Sequence, residues 1–354
     1  MKPKLKPLKD QVIVITGASS GIGLATAQKA AKAGAAVVLV SRNEAELERI
    51  AEDIRLVGGR AIAVAADVGE QDEIAEVVEA ATEAFGGFDT WVNDAGVGLY
   101  GELSQVPLAD QERLFKTNYW GVVNGSLAAA GHLREREGGG AIINLGSILS
   151  DMAAPLMGAY TASKHAVKGF TDALRMELRA EGAPIAVTLI KPASIGTPFP
   201  RHARNYMEGE AQVPQPVYAP EVVANAILHA AQFQKHSVTV GGAGRQMVML
   251  KNISPKLADR FYGWMMPKVQ QSSDPKTPGD NLHAAGSDGE VRSDQLQRPF
   301  SVYTAAHNHP RLTAGLGLLA GAAVTALVFR KAPKPVRMAA LGYVARGPLR
   351  RLAA

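Results

Sequence analysis

The sequence predicts an α/β fold, a doubly wound parallel sheet that carries a C-terminal extension. Three observations lead to it. From Gln11 to about Gly241, short β-branched apolar runs alternate with longer helical stretches. Most runs are continuously apolar rather than alternating, as strands covered on both faces must be. A glycine-rich turn joins the first run to the first helix, at the carboxyl end of a strand, where such sheets bind ligands.

In chain order, strands are expected at Val12–Ile15, Ala36–Val40, Ala61–Ala65, Thr90–Val92, Ala141–Leu145, Ile185–Ile190 and Val238–Val240. Helices are expected at Gly23–Ala33, Glu44–Val57, Gln71–Phe85, Leu108–Glu135, Tyr160–Glu181 and Glu221–Gln232. Pro192–Ala219 is too long and proline-rich for an ordinary connection and reads as a substrate lid. Its Phe199, Tyr206, Met207 and Tyr218 imply an apolar pocket. Lys256–Met266 reads as one more amphipathic helix. Pro267–Pro310, polar and rich in turn residues, reads as linker.

Composition narrows the function. The 354 residues, 47% hydrophobic and 20% charged, suit one large domain with an appendage. The absence of cysteine excludes a disulfide framework, a thiol nucleophile and a thiolate metal site. The eight histidines are scattered without metal-ligand spacing, so no metal site is expected, and His307 and His309 read as a solvated pair. Met1–Pro7 is basic but leads into no apolar run, unlike a signal peptide. The net charge of +5 is a property of the tail, because residues 301–354 hold eight Lys/Arg and no acid. The remaining 30 basic and 33 acidic residues give no reason to expect nucleic acid as a partner.

The first strand runs into Thr16-Gly17-Ala18-Ser19-Ser20-Gly21-Ile22-Gly23, and a helix follows. Glycines there let the backbone approach a pyrophosphate seated on helix N-terminal amides, a Rossmann-like arrangement. Gly17, Ser19, Ser20, Gly21, Ile22 and Gly23 are therefore candidate nucleotide contacts. The second strand ends in Ser41-Arg42, where an acid would bond the ribose 2′-hydroxyl of NAD. A hydroxyl and a guanidinium suit a 2′-phosphate instead, and NADP(H) is the expected cofactor.

These and later motifs resemble the short-chain dehydrogenase/reductase family over about residues 8–245. The resemblance rests on TGASSGIG at 16–23, Asp67-Val68 after the third strand, Asn93-Asp94-Ala95-Gly96 after the fourth and Asn118 within a helix. It continues with Ser147 after the fifth strand, Tyr160-Thr161-Ala162-Ser163-Lys164, and Pro192-Ala193-Ser194-Ile195-Gly196-Thr197 after the sixth. It implies that Asp67 and the Val68 amide hold the adenine and that Asn93, Ala95 and Gly96 stabilise the sheet and pass the cofactor. It also implies that Pro192, Ile195 and Thr197 lie at the nicotinamide, and that Asn118 orders a water beneath Lys164. Three departures stand out: Asp94 for a second Asn, Gly146 for a second Ser, and Ala193 for a Gly.

Chemistry agrees with the resemblance. Tyr160 and Lys164 are four apart and share a helix face. A phenol is a poor proton carrier near neutrality, and a neighbouring ammonium would favour its phenolate. Tyr160 would then exchange the alcohol proton, with Ser147 holding the substrate oxygen. The expected activity is hydride transfer between NADP(H) and an apolar carbonyl or alcohol, with Asn118, Ser147, Tyr160 and Lys164 as the catalytic set. A nucleotide-sensing scaffold without turnover would have no need of all four. A sugar-nucleotide epimerase would show TGxxGxxG in place of TGxxxGIG.

The expected organisation is an NADP(H)-binding catalytic domain over residues 1–250, a helix and polar linker over 251–311, and an apolar segment with a basic tail over 312–354. Leu312–Phe329 has 18 residues without a charge, and seven basic residues follow at 330–351. The expectation is a cytoplasmic homo-oligomer attached to the membrane surface through this tail.

Overall fold

Seven parallel strands form the central sheet of the computed structural model, which describes residues 2–286, 288–308 and 313. They are β1 (Val12–Thr16), β2 (Ala36–Ser41), β3 (Arg60–Ala65), β4 (Thr90–Asn93), β5 (Gly140–Leu145), β6 (Ile185–Pro192) and β7 (Ser237–Val240). Their order across the sheet is β7-β6-β5-β4-β1-β2-β3, so the direction of winding reverses between β1 and β4. Ligands bind at such a reversal, beyond the carboxyl ends of the strands. Register brings the ends of β1 and β4 level, Thr16 beside Asn93.

The continuous apolar runs have the expected cause. Every residue of β1 and β5 is buried, because helices cover both faces. One cluster joins β1 and β2 to α1 (Gly21–Lys32), α2 (Glu44–Leu56) and α7 (Pro220–Ala230). The other packs the opposite face on α3 (Gln71–Phe85), α5 (Gly121–Glu135) and α6 (Gly158–Ala180).

Two expectations are corrected. Leu108–Glu135 is not one regular helix: α4 (Leu108–Phe115) passes through a π-helical turn, Lys116–Trp120, into α5. The widened turn contains Asn118, and such turns concentrate at functional sites. The supposed linker is also structured. Helices α8 (Gly242–Ile253) and α9 (Pro255–Val269) follow β7, so the expected boundary at residue 250 falls inside a helix. Gln271–Pro275 then pairs with Gly209–Ala211, and Gln297–Arg298 pairs with Val217–Tyr218. Those partners lie in the segment read as a lid, which is pinned at two points by the chain that follows it.

The chain divides into two units, Met1–Thr304 and Ala305–Ala354, and the sheet, the lid and the cavity belong to the first. Apart from residue 313, Leu312–Phe329 and the basic end lie outside the described residues. Among the described residues, no helix is long and apolar enough to cross a membrane.

Candidate active site

At the end of β5 the chain turns sharply, and Ser147 begins a short 3-10 turn, Ile148–Ser150. Its Oγ accepts from Leu149 N at 3.1 Å, while its own amide donates to Ser150 Oγ at 3.2 Å, which fixes the hydroxyl in place. Tyr160, on the first turn of α6, lies close enough to Ser147 for that hydroxyl to favour its phenolate, and its ring stands edge-on to Phe199 with centroids 5.4 Å apart. One turn on, Lys164 is 4% exposed. Its Nζ donates to Leu145 O at 2.8 Å and lies 5.6 Å from the Tyr160 ring centre. Asn118 is wholly buried and clasps Val97, accepting from its N–H at 2.8 Å and donating to its carbonyl at 3.0 Å.

Burial dominates the electrostatics here. It pushes the Tyr160 phenol above its ordinary range, against the effect of the Ser147 hydroxyl, and the Asp94 charge adds to the rise. Burial lowers Lys164 to about 8, with Asp94 holding it up. It also raises Asp94 to about 7, opposed by Lys164 and by the Gly23 N–H. The sequence leads one to expect Lys164 to depress Tyr160. In this geometry desolvation outweighs any such effect, and the ammonium is bonded to the Leu145 carbonyl instead.

A cavity of about 310 Å³ runs from these residues to the end of β2. Its walls include Gly17, Ser19, Ser20, Ile22, Ser41, Arg42, Asp67, Val68, Ala95, Gly96, Ser147, Tyr160, Lys164, Pro192, Ile195 and Thr197. Four expected residues support the walls without lining them. Gly21 and Gly23 shape the turn: Gly21 has φ +54°, and a Cβ on Gly23 would lie 2.1 Å from Gly17 O. Asn93 bonds Ser126, Asn144 and the Trp91 indole inside the sheet. Asn118 braces the 95–97 loop, and a Cβ on Gly96 would lie 3.5 Å from its Oδ1 and 3.9 Å from Lys164 Nζ.

The nucleotide end fits a dinucleotide. Ser20 makes no side-chain cap on α1, which leaves the amides of that N-terminus to other partners. Thr197 packs on Gly21, with its Cβ 3.2 Å from where a Gly21 Cβ would lie. Asp67, expected at the adenine, is held below its ordinary carboxylate range in spite of burial, by an ion pair with Arg113 at 2.5 Å and the Gly69 amide.

Residues that the sequence did not mark complete this end. Residues 281–286 and 288–290 lie across it as a strap. Arg42 donates to the carbonyls of Asn281, Leu282 and Ala284, and Asn43 donates to Gly286 O and to Asp288. Gly289 N donates to Ser19 O, and Gly21 N to Glu290 O, both at 2.9 Å. Leu282 is 0% exposed, seated with Val97, Leu99, Val106 and Leu114. Asn281, Ala285 and Asp288 line the cavity, as do Thr117, Met247, Met265, Met266 and Gln270. Thr117 had a signal in its neighbour Asn118. The strap had none, because its composition is that of a linker.

Comparison with known proteins follows the same outline. A family model described as short chain dehydrogenase matches residues 11–207. An uncharacterised oxidoreductase of Bacillus subtilis, YxnA, is 42% identical over 329 residues, covering 91% of this chain and 92% of its own. That match extends well past the family model, into the chain that carries the strap. A ketoacyl reductase of Nostoc, HetN, is 29% identical over 267 residues, covering 73% of this chain and 90% of its own. Among solved structures, a short-chain dehydrogenase/reductase from Burkholderia phymatum in complex with NAD is similar at a TM-score of 0.66 and 29% identity. It covers 71% of this chain and 96% of its own.

Proposed function

The chain belongs to the short-chain dehydrogenase/reductase family, and from that premise we propose that it reduces an apolar carbonyl with NADPH, Tyr160 serving as the general acid. One observation carries the reading: Ser147, Tyr160 and Lys164 share one cavity wall, and that cavity continues to Arg42. Bound there, the nicotinamide cofactor would supply or accept the hydride.

The remaining chemistry is the chain's own. Burial keeps the proton on Tyr160 at neutral pH, the state needed to protonate an oxyanion as it forms. The Ser147 hydroxyl, beside Tyr160 on the same wall, would supply a second donor to the same oxygen. Lys164, still charged below about 8, offsets the negative charge left on the phenolate. Asn118 holds Val97, and with it the loop on which Ala95 and Gly96 lie.

For the choice of cofactor, β2 ends in Ser41 and Arg42 with no acid of its own. The strap uses the two terminal guanidinium nitrogens of Arg42, and a guanidinium has five N–H donors, so a 2′-phosphate can share it. Asp288 brings a carboxylate to the same end and opposes that phosphate.

Tyr160→Phe tests the mechanism. It keeps the ring against Phe199 and removes only the hydroxyl, so reduction of a ketone panel should fall by about 10²–10⁴-fold while NADPH binding persists. Turnover near the parental rate would refute Tyr160 as the acid. A parent that itself turned nothing over would reopen the scaffold reading.

A further inference from the structure

The substrate half of the cavity has a composition of its own. Met157, Met247, Met265, Met266 and Phe199 line it, and Met266 belongs to the apolar cluster on which Tyr160 packs. Thioethers suit flexible apolar chains of irregular shape. The charged lining residues are Arg42, Asp67, Asp94, Lys164 and Asp288, all at the nucleotide or at Tyr160. The wall around α9 and the lid contributes no lysine, arginine or acid, and His202 is its titratable residue.

Gln270 is one of the polar residues on that wall. Gln270 caps the C-terminus of α9, one turn beyond Met266, to which its amide bonds at 3.0 Å. Its carbonyl accepts from Gln212 N at 2.9 Å, which ties it to the lid. The residue is 2% exposed and lines the cavity, and its side-chain Oε1 has no hydrogen-bond partner. Gln215, also on the wall, differs: its amide donates to Leu296 O and accepts from Val217 N. Native folds seldom keep a buried amide oxygen unbonded unless something else is meant to reach it.

We propose that Gln270 is a substrate-specificity residue, binding a neutral hydroxyl at the end of the substrate remote from its carbonyl. A primary amide both donates and accepts, and a hydroxyl uses both functions. A carboxylate or phosphate at that end would be desolvated with no lysine or arginine to pair with it. The substrate class is therefore a neutral, long-chain, amphipathic ketone or aldehyde, its apolar middle lying on the methionines. The inference rests on the assignment of Tyr160 as the acid, which sets where the carbonyl sits.

The test uses the full-length protein with NADPH and a homologous series of methyl ketones ending in a methyl, a hydroxyl or a carboxylate. At the best-fitting length the hydroxyl compound should have a kcat/KM about 3- to 10-fold above the methyl compound, with the difference in KM, and the carboxylate should be poorest. Gln270→Met, an apolar side chain of similar length, should bring the hydroxyl-to-methyl ratio to about one. It should also raise Tm, because it removes an unbonded buried amide; a residue that only supported the fold would lower Tm instead. Calorimetric binding of the same ketones to the Tyr160→Phe protein with NADPH reads the preference without turnover. Preference retained without turnover in the parent counts against Tyr160 and spares Gln270. Turnover or binding with no preference for the hydroxyl at any length, or a preference that survives Gln270→Met, overturns the proposal.

Discussion

Asp94→Asn should stabilise this protein, and the gain should grow with pH. The carboxyl group stands between the glycine turn and Lys164, accepting from Gly23 N–H, and burial raises it from 3.8 to about 7. The fold thus favours the protonated form. The cost of ionising it is absent below 3.8, builds between 3.8 and about 7, and is complete above that. Each pKa unit corresponds to about 1.4 kcal/mol, so the full displacement is about 4 kcal/mol. The group borders a cavity and is coupled to Lys164, and about half of that is the realistic figure. Asparagine keeps an acceptor for Gly23 and never ionises. Its gain should be about 2 kcal/mol near pH 8 and about 1 kcal/mol near pH 5, read from urea unfolding of both proteins at each pH. An equal gain at both pH values would show that ionisation of Asp94 is not what costs stability. A loss at both would mean that the carboxylate is needed to hold the turn.

Four other outcomes are expected. Ketone reduction should decline as pH rises through about 8, where Lys164 loses its proton, and Asp94→Asn should move that decline lower because Asp94 holds Lys164 up; pH profiles of kcat/KM in the two proteins check both. Arg42→Asp should shift the NADH-to-NADPH ratio of kcat/KM upward by about 10- to 100-fold, the worth of charge-assisted hydrogen bonds to a phosphate. Asp288→Asn should shift the ratio the other way by about 5-fold, as expected for one like charge near a surface. Leu282→Ala should cost about 2–3 kcal/mol and make the strap the first site of limited proteolysis; first cleavage elsewhere would mean that Leu282 does not anchor it.

The strands and helices of the sheet were legible because their burial is two-sided and local. A run such as Val12–Ile15 is apolar throughout, and nothing distant is needed to interpret it. The cavity walls were legible for a related reason: the residues just past each strand end are fixed by the topology once the order is known. Asn118 was visible as a residue, but the π-turn around it was not, since a one-residue widening leaves helical periodicity almost unchanged. Asp94 could be seen as an extra acid, yet its raised pKa comes from its own burial, against the pull of Lys164, which no spacing reveals. The strap was misread because its order comes from partners far away in sequence. Arg42 and Leu282 are 240 residues apart, and turn-forming residues that bond a distant loop look the same in sequence as turn-forming residues that bond water.

The strap changes what counts as the functional unit. Residues 11–207 match the family model and contain the glycine turn and the four residues expected to be catalytic. Yet the chain beyond them supplies a wall at each end of the cavity: Met265, Met266 and Gln270 at one, Asn281 and Asp288 at the other. The two walls are joined by ten intervening residues and pinned at both sides by pairing with the lid, at Gly209–Ala211 and at Val217–Tyr218. Were the lid to move to admit a substrate, it would pull on the segment bonded to Arg42 and Ser19, and a cofactor that shifted the strap would pull on the substrate wall. Cofactor and substrate affinities should then be coupled, each altering the other by the same factor. The coupling follows from the pairing of the lid with the extension, and a shorter chain ending near residue 250 would have neither the substrate wall nor the strap to transmit it.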